Sequence, residues 1–93
     1  MKFPEWMKRI GNVYKEYRES IFIEIPHSSL EKKMKDIKSH GVHVVNAISG
    51  YDSGKGMEVL YHFIHHGIVL TVKTKVKDKV PSIIHIFPSV IHN

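Results

Sequence analysis

The chain of 93 residues contains no cysteine. This absence excludes disulfide bonds, thiolate catalysis, zinc–thiolate sites and iron–sulfur clusters held by the chain's own thiols. Long apolar segments are also missing, and the longest runs, such as GIVLTV, are too short to cross a bilayer. The opening stretch MKFPEWMKRIGN has no continuous apolar region. We therefore predict neither a membrane span nor a secretory signal peptide, and expect a cytoplasmic location.

Positive charge is in excess. Lys and Arg number 14 against 9 Asp and Glu, which gives a formal net charge of +5, and 8 histidines can add to it in acid. A small basic domain suggests an acidic partner, which could be nucleic acid, an anionic membrane surface or an acidic protein. The length allows one modest hydrophobic core, so we expect residues 1–93 to form a single domain.

The N-terminal part, residues 1–19, is predicted to be an amphipathic helix with Pro4 in its first turn. Its apolar stripe is formed by residues three or four positions apart: Phe3, Trp6, Ile10, Val13 and Tyr17. We interpret the stripe as a contact with the core, and the alternative is a surface for a partner helix, with Trp6 as its anchor.

Residues 20–80 are predicted to form an α+β core of order β-α-β-β-β. SIFIEIP alternates as a strand does, and HSSLEKKMKDIKSHG is a helix with a capping box of Ser28 and Glu31 and a stop at Gly41. Three strands follow, VHVVNAIS, MEVLYHFI and IVLTVKTKVK, joined by the turns GYDSGKG and HHG. The pattern predicts a mainly antiparallel sheet with its helices on one face, followed by a short apolar segment, residues 81–93.

The last predicted strand places three lysines, Lys73, Lys75 and Lys77, on one face. Such a row could follow a phosphate backbone, but RNA-binding sheets usually add aromatic side chains to the same face. Here Val69 and Thr71 share the lysine face. A solvated face or an acidic protein partner is therefore the favoured interpretation.

The segment YHFIHHG raises the question of a metal site, because it contains His62, His65 and His66. On a strand, His62 and His66 point to one face and His65 to the other, so they do not converge on one ion as zinc requires. We interpret the segment as the end of a strand and a turn. The sequence predicts no catalytic residue, no metal ligand and no bound cofactor.

The second half of the chain resembles a known family. Read in order, MEVLYHF, IVLTVKTKV and VPSIIHIFPS look like the thirty-kilodalton subunit of respiratory complex I and the related subunit of membrane-bound, energy-converting nickel–iron hydrogenases. The resemblance covers roughly residues 20–90. Six residues match the family's proline-containing segment: Pro81, Ser82, Ile83, Ile86, Phe87 and Pro88.

This resemblance implies a non-catalytic accessory subunit without a cofactor. Such a subunit docks on the hydrogenase-like large subunit, at the cytoplasmic side of a membrane complex related to NADH–quinone oxidoreductase. The six matching residues are the implied partner interface, although residues 81–93 could instead fold back on the sheet. Where the family continues with an Asn, an aromatic residue and a charged run, this chain has Ile91 and His92 and stops. That departure favours a short, hydrogenase-type version or a shortened chain.

Two other functions stay open. A free-standing basic α+β domain could bind nucleic acid, in which case its affinity would depend strongly on salt. A small metal enzyme using His62 and His66 ranks last, and stoichiometric metal that survives chelation would support it.

Overall fold

The computed structural model describes residues 2–52, 54–76, 86, 87, 89 and 90. In this part of the chain the elements are α1 Glu5–Arg9, β1 Asn12–Tyr17, β2 Ser20–Glu24, α2 Leu30–Ser39, β3 Val44–Val45, β4 Ala47–Asp52, β5 Met57–His65, β6 Ile68–Val76 and β7 Ser89–Val90. A 3₁₀ turn, His27–Ser29, leads into α2. No helix among the described residues is long and apolar enough to cross a membrane.

Five strands form one sheet in the order β1-β2-β6-β5-β4. Strands β4, β5 and β6 pair antiparallel as a meander, β1 and β2 form an antiparallel hairpin, and β2 runs parallel to β6. The short strands β3 and β7 pair in parallel as a second sheet. The α+β class and the predicted antiparallel meander are therefore confirmed.

Both helices contribute to one buried cluster on one side of the sheet. Met7 of α1 and Met34 of α2 are fully buried in the same cluster as Ile23, Val72 and Phe63 from three different strands. Successive side chains of a strand point to opposite faces, so each strand gives this core every second residue. The predicted arrangement, with helices on one face, follows from this alternation.

The prediction of one helix over residues 1–19 is wrong. Helix α1 ends at Arg9, and the chain then enters β1, an edge strand paired with β2. Gly11 lies where the chain enters β1, and only glycine fits there, because a Cβ would lie 2.6 Å from the backbone oxygen of Glu24 and 2.9 Å from Cγ1 of Ile25. The second half of the predicted apolar stripe, Val13 and Tyr17, therefore lies in a strand that pairs with β2, although its spacing is also compatible with a helix.

Two smaller predictions also need correction. The capping box is wrong, because Ser28 lies in the 3₁₀ turn and α2 is preceded by Ser29, which makes no side-chain cap hydrogen bond. The predicted strand VHVVNAIS is divided into β3 and β4 at Asn46, whose side-chain oxygen accepts a hydrogen bond of 2.9 Å from the Ile64 backbone N–H. The predicted stop at Gly41 is confirmed by its φ of +95°.

Candidate functional site: the uncovered face of the sheet

The second face of the five-stranded sheet has no helix over it in the described part of the chain. The strand register places Glu24 beside Lys73 and Glu58 beside Lys75 on this face. The uncovered face, as we call it, consists of Asn12, Tyr14, Lys15, Tyr17, Ser20, Phe22, Glu24, Ala47, Ser49, Tyr51, Glu58, Leu60, His62, Ile64, Val69, Thr71, Lys73 and Lys75. Lys77, the third lysine of the predicted row, lies outside the described residues.

Large apolar side chains concentrate on the uncovered face. Six such side chains are exposed among the described residues, and four of them belong to it: Tyr14 at 42%, Tyr17 at 57%, Tyr51 at 48% and Ile64 at 59%. The solvated face of an antiparallel sheet is ordinarily polar. Exposed apolar residues gathered on one face are instead typical of an interaction surface.

A β-bulge in β1 brings two consecutive side chains to this face. The pairing of β1 with β2 shifts between Val13 and Lys15, so Tyr14 is the extra residue. Both Tyr14 and Lys15 then reach Phe22 of β2. The two ring centroids of Tyr14 and Phe22 are 6.1 Å apart, and Lys15 Nζ lies 5.4 Å from the Phe22 centroid.

Lys73 occupies the centre of the uncovered face and contacts two carboxylates. Its Nζ lies 3.5 Å from Oε1 of Glu58 and 3.6 Å from Oε1 of Glu24. The side chains of Lys73 and Glu58 are only 18% and 11% exposed. Tyr14 shields the ammonium, with its ring centroid 4.3 Å from Nζ. Lys75 reaches the second oxygen of Glu24 at 4.0 Å, so two cations balance two anions.

These contacts shift three pKa values upward. Burial alone lowers the pKa of Lys73, but Tyr14, Glu24 and Glu58 outweigh it, so that pKa is raised. Burial raises the pKa of Tyr14, and a hydrogen bond to the Glu58 carboxylate raises the pKa of Tyr51. At neutral pH Lys73 is therefore a cation and both tyrosines are neutral. None of the three is tuned for proton transfer near neutrality.

The sequence prediction for this face was wrong about its aromatic content. It placed Val69 and Thr71 beside the lysines and found no ring there, whereas the structure adds Tyr14, Phe22 and Tyr51. Tyr14 was missed because β1 was predicted as helix, and Tyr51 because it was assigned to a turn. The alternation of Phe22 with buried isoleucines indicates that Phe22 points away from the core. It does not indicate that β2 lies beside β6, so Phe22 could not be placed on the lysine face.

The structure describes two of the six residues predicted as a partner interface. Ile86 is 3% and Phe87 0% exposed, and the Phe87 ring centroid lies 5.3 Å from that of Phe63. These two residues therefore belong to the chain's own core, as expected if this segment folds back on the sheet. The other four lie outside the described residues: Pro81, Ser82, Ile83 and Pro88.

The histidines of YHFIHHG do not converge. His62 lies on the uncovered face, with its Nδ1 3.1 Å from the Thr71 hydroxyl oxygen. His66 has a φ of +50° and forms the two-residue hairpin turn with Gly67, at +77°. No group of three His, Asp or Glu side chains that could hold a metal ion occurs among the described residues. The predicted strand end and turn are confirmed.

A second group of rings joins α1, α2 and the β5–β6 turn. The Trp6 ring stacks on His40 at 4.4 Å with an interplanar angle of 6°, and its centroid lies 5.8 Å from that of His65. His65 and His66 are 4.1 Å apart. Burial lowers the pKa of His65, and positive charge on His66, His40 and His43 lowers it further. This cluster therefore favours neutral imidazole at His65.

Comparison with known protein sequences gives one match. Residues 23–92 match the family model described as the respiratory-chain NADH dehydrogenase 30 Kd subunit. No curated protein sequence matched.

Among solved structures, the protein is similar to one subunit of the membrane-bound sulfane sulfur reductase (MBS), an archaeal respiratory membrane complex. The TM-score is 0.76 and the sequence identity 17%, over 90% of this protein and 56% of that subunit. The present protein thus spans little more than half the length of that subunit. At this identity the likeness shows a shared fold.

Proposed function

We infer the function from one premise: this chain belongs to the family of the respiratory-chain NADH dehydrogenase 30 kDa subunit, whose model matches residues 23–92. We propose that the protein is a non-catalytic accessory subunit of a membrane-associated complex, either NADH–quinone oxidoreductase-like or an energy-converting hydrogenase. In this role it docks on a hydrogenase-like large subunit at the cytoplasmic side, as a peripheral component without a cofactor of its own.

The family match carries the proposal, and the fold supports it. The solved relative with the shared fold is part of a respiratory membrane complex. The absence of cysteine is consistent with a subunit that positions its neighbours and leaves electron transfer to other subunits.

The proposal keeps the C-terminal segment as part of the partner interface. Ile86 and Phe87 are buried and anchor this segment to the core. We propose that four neighbouring residues contact the large subunit: Pro81, Ser82, Ile83 and Pro88. Prolines lower the entropy that a segment loses on binding.

Nucleic-acid binding is the second candidate, and one observation favours it. Tyr14 and Phe22 share a face with lysines, as rings and cations do on single-strand-binding sheets. The central charges argue against it, because Lys73 is already bound by Glu24 and Glu58, and these carboxylates repel phosphate.

The test is affinity purification of the tagged full-length protein from its native membranes in mild detergent, with partners identified by mass spectrometry. The proposal predicts recovery of a hydrogenase-like large subunit together with iron–sulfur and membrane subunits, and none of these from membranes that carry the tag alone. Recovery of nucleic-acid-associated proteins only, or of no stable partner, would contradict the subunit role. The nucleic-acid candidate would then be tested by salt-dependent binding of single-stranded RNA.

A further inference from the structure

We propose that the uncovered face is the surface by which this subunit binds its neighbour, and that the neighbour presents a protein surface with carboxylates around an apolar centre. This inference rests on the proposed function and adds to it the location of the contact and the chemistry of the partner. It concerns described residues and is independent of the C-terminal segment.

The centre of the face is already organised for contact. Lys73 is held between Glu24 and Glu58 and is largely removed from water although no described helix covers it. Charges that are paired before binding lose less solvation on association than free charges do. A partner can therefore cover this centre without leaving an unpaired charge behind.

Three tyrosines, Tyr14, Tyr17 and Tyr51, lie on the same face as this centre, and each contacts a charged side chain. Tyr51 donates a hydrogen bond to Glu58. The Tyr17 ring is near two cations, with its centroid 6.0 Å from Lys15 Nζ and 5.3 Å from Arg18 Cζ. Tyrosine is among the residue types that dominate binding energy at protein interfaces, and a ring fixed beforehand loses little entropy on binding. The exposed rings thus provide the apolar part of the contact.

The groups that project from the face are cations. The Lys75 side chain is 66% exposed, and Lys15 is exposed as well. Arg18 and Glu19, of opposite charge, are both exposed in the turn between β1 and β2, at the edge of the face. The carboxylates are less exposed than Lys75, with side-chain exposures of 35% for Glu24 and 11% for Glu58. An approaching surface therefore meets positive charge first, which favours a partner with carboxylates at the matching positions.

The same charges disfavour the other occupants. In a symmetric pair of copies the projecting cations of Lys15 and Lys75 would share one interface, and like charges there repel. Nucleic acid would meet the carboxylates of Glu24 and Glu58 at the centre of the face. A protein surface with an apolar centre and carboxylates around it avoids both repulsions, because its carboxylates face the projecting lysines and not Glu24 and Glu58.

The experiment compares three variants in the assembled complex. Lys75→Glu reverses a projecting charge, and Tyr51→Ala removes an exposed ring. Lys32→Glu, on the exposed side of α2, makes the same charge change away from the face. Each tagged variant is expressed in the native host, and the large subunit recovered per tagged protein is measured over a range of salt concentrations. Circular dichroism of each purified variant checks that it is folded.

We expect Lys75→Glu and Tyr51→Ala each to lower recovery about tenfold, as loss of a well-placed interface contact does. Lys32→Glu should retain the parental level. If all three variants retain it, the face is not the contact, while the subunit role stands. If the parental protein recovers no membrane complex, both proposals fail. Selective loss of bound nucleic acid, or of a homodimer, in the two face variants would also overturn the inference.

Discussion

The two faces of one sheet differ in chemistry although they share every strand. Along β6, Leu70 and Val72 point into the core and are fully buried, whereas Lys73 and Lys75 point the other way. Hydrophobic burial stabilises the first face, at about 25 cal/mol per Å² of apolar surface removed from water. Ion pairs on the second face contribute less: an exposed pair is worth about 0–1 kcal/mol, and the attraction within a nearly buried pair such as Lys73–Glu58 is largely offset by lost hydration. The comparison teaches that the covered face maintains the fold, while the uncovered face is free to be specialised for a partner.

The largest expected effect is the difference in stability loss when one phenylalanine on each face is replaced by alanine. Phe63 is fully buried and contacts Phe87, so Phe63→Ala should lower the free energy of unfolding by about 3–5 kcal/mol. Phe22 on the uncovered face is only half-buried, so Phe22→Ala should cost about 1–2 kcal/mol. Urea denaturation followed by circular dichroism measures both values. Equal losses would show that the faces do not differ in their contribution to stability.

The next effect concerns the charges of the uncovered face. Lys73→Met leaves the nearly buried Glu58 carboxylate without its cation, so the free energy of unfolding should fall by about 1–3 kcal/mol. Adding Glu58→Gln to Lys73→Met should recover most of that loss, since replacing both partners is often nearly neutral. A double variant as unstable as the single one would mean that Lys73 stabilises the sheet by its packing and not by its charge.

A pH effect should come from the covered side, at the ring cluster around Trp6. The lowered pKa of His65 means that the folded state prefers neutral imidazole there. Its contribution to stability is complete above the unfolded-state pKa of about 6.5 and is lost as the pH falls below that value. Burial also lowers the pKa of His62, which adds a loss of the same sign.

Asp36 lies at the edge of this cluster, with its Oδ1 3.7 Å from Nε2 of His40. We therefore expect the free energy of unfolding to fall as the pH is lowered from about 7.5 to about 5.5, and His65→Gln to reduce that fall. Trp6, the single tryptophan, provides a fluorescence signal for the unfolding curves. A fall of unchanged size in His65→Gln would assign the effect to other groups.

The smallest effect concerns a buried hydroxyl on the covered face. The Tyr61 hydroxyl is buried and has no hydrogen-bond partner among the described residues. Burial of a polar group without a partner costs free energy, and burial also raises the pKa of Tyr61. Tyr61→Phe should therefore raise the melting temperature, or the free energy of unfolding by up to about 1 kcal/mol. A clear loss of stability would show that the hydroxyl does have a partner.

Local patterns in the sequence predicted the meander and helix α2 well. The alternation of β6 is visible residue by residue, and Gly41 marks the end of α2. The N-terminal part was not predictable in this way, because Val13 and Tyr17 satisfy both a helical and a strand pattern. Gly11 was the one local sign of a break. The need for glycine at this position comes from the close approach of the Glu24 backbone, which belongs to a strand that lies later in the sequence.

The uncovered face could be predicted only in part, because it gathers residues from five strands. Lys73 and Lys75 were visible as a row within β6. Their neighbours Glu24 and Tyr14 come from β2 and β1, and β2 reaches β6 by a parallel pairing between distant parts of the sequence. No local pattern specifies such a pairing. The family resemblance was predicted because its motifs are continuous in sequence, and the match over residues 23–92 confirms it.

Lysine labelling of the assembled complex tests the central claim most directly. The purified complex and the free protein are treated with the same amine-reactive reagent, and modification is measured at Lys15, Lys75 and Lys32 by mass spectrometry. If the uncovered face binds a neighbouring subunit, Lys15 and Lys75 are protected in the complex and Lys32 reacts equally in both samples. Equal labelling of Lys15 and Lys75 in both samples, or protection confined to Lys32, would contradict the account.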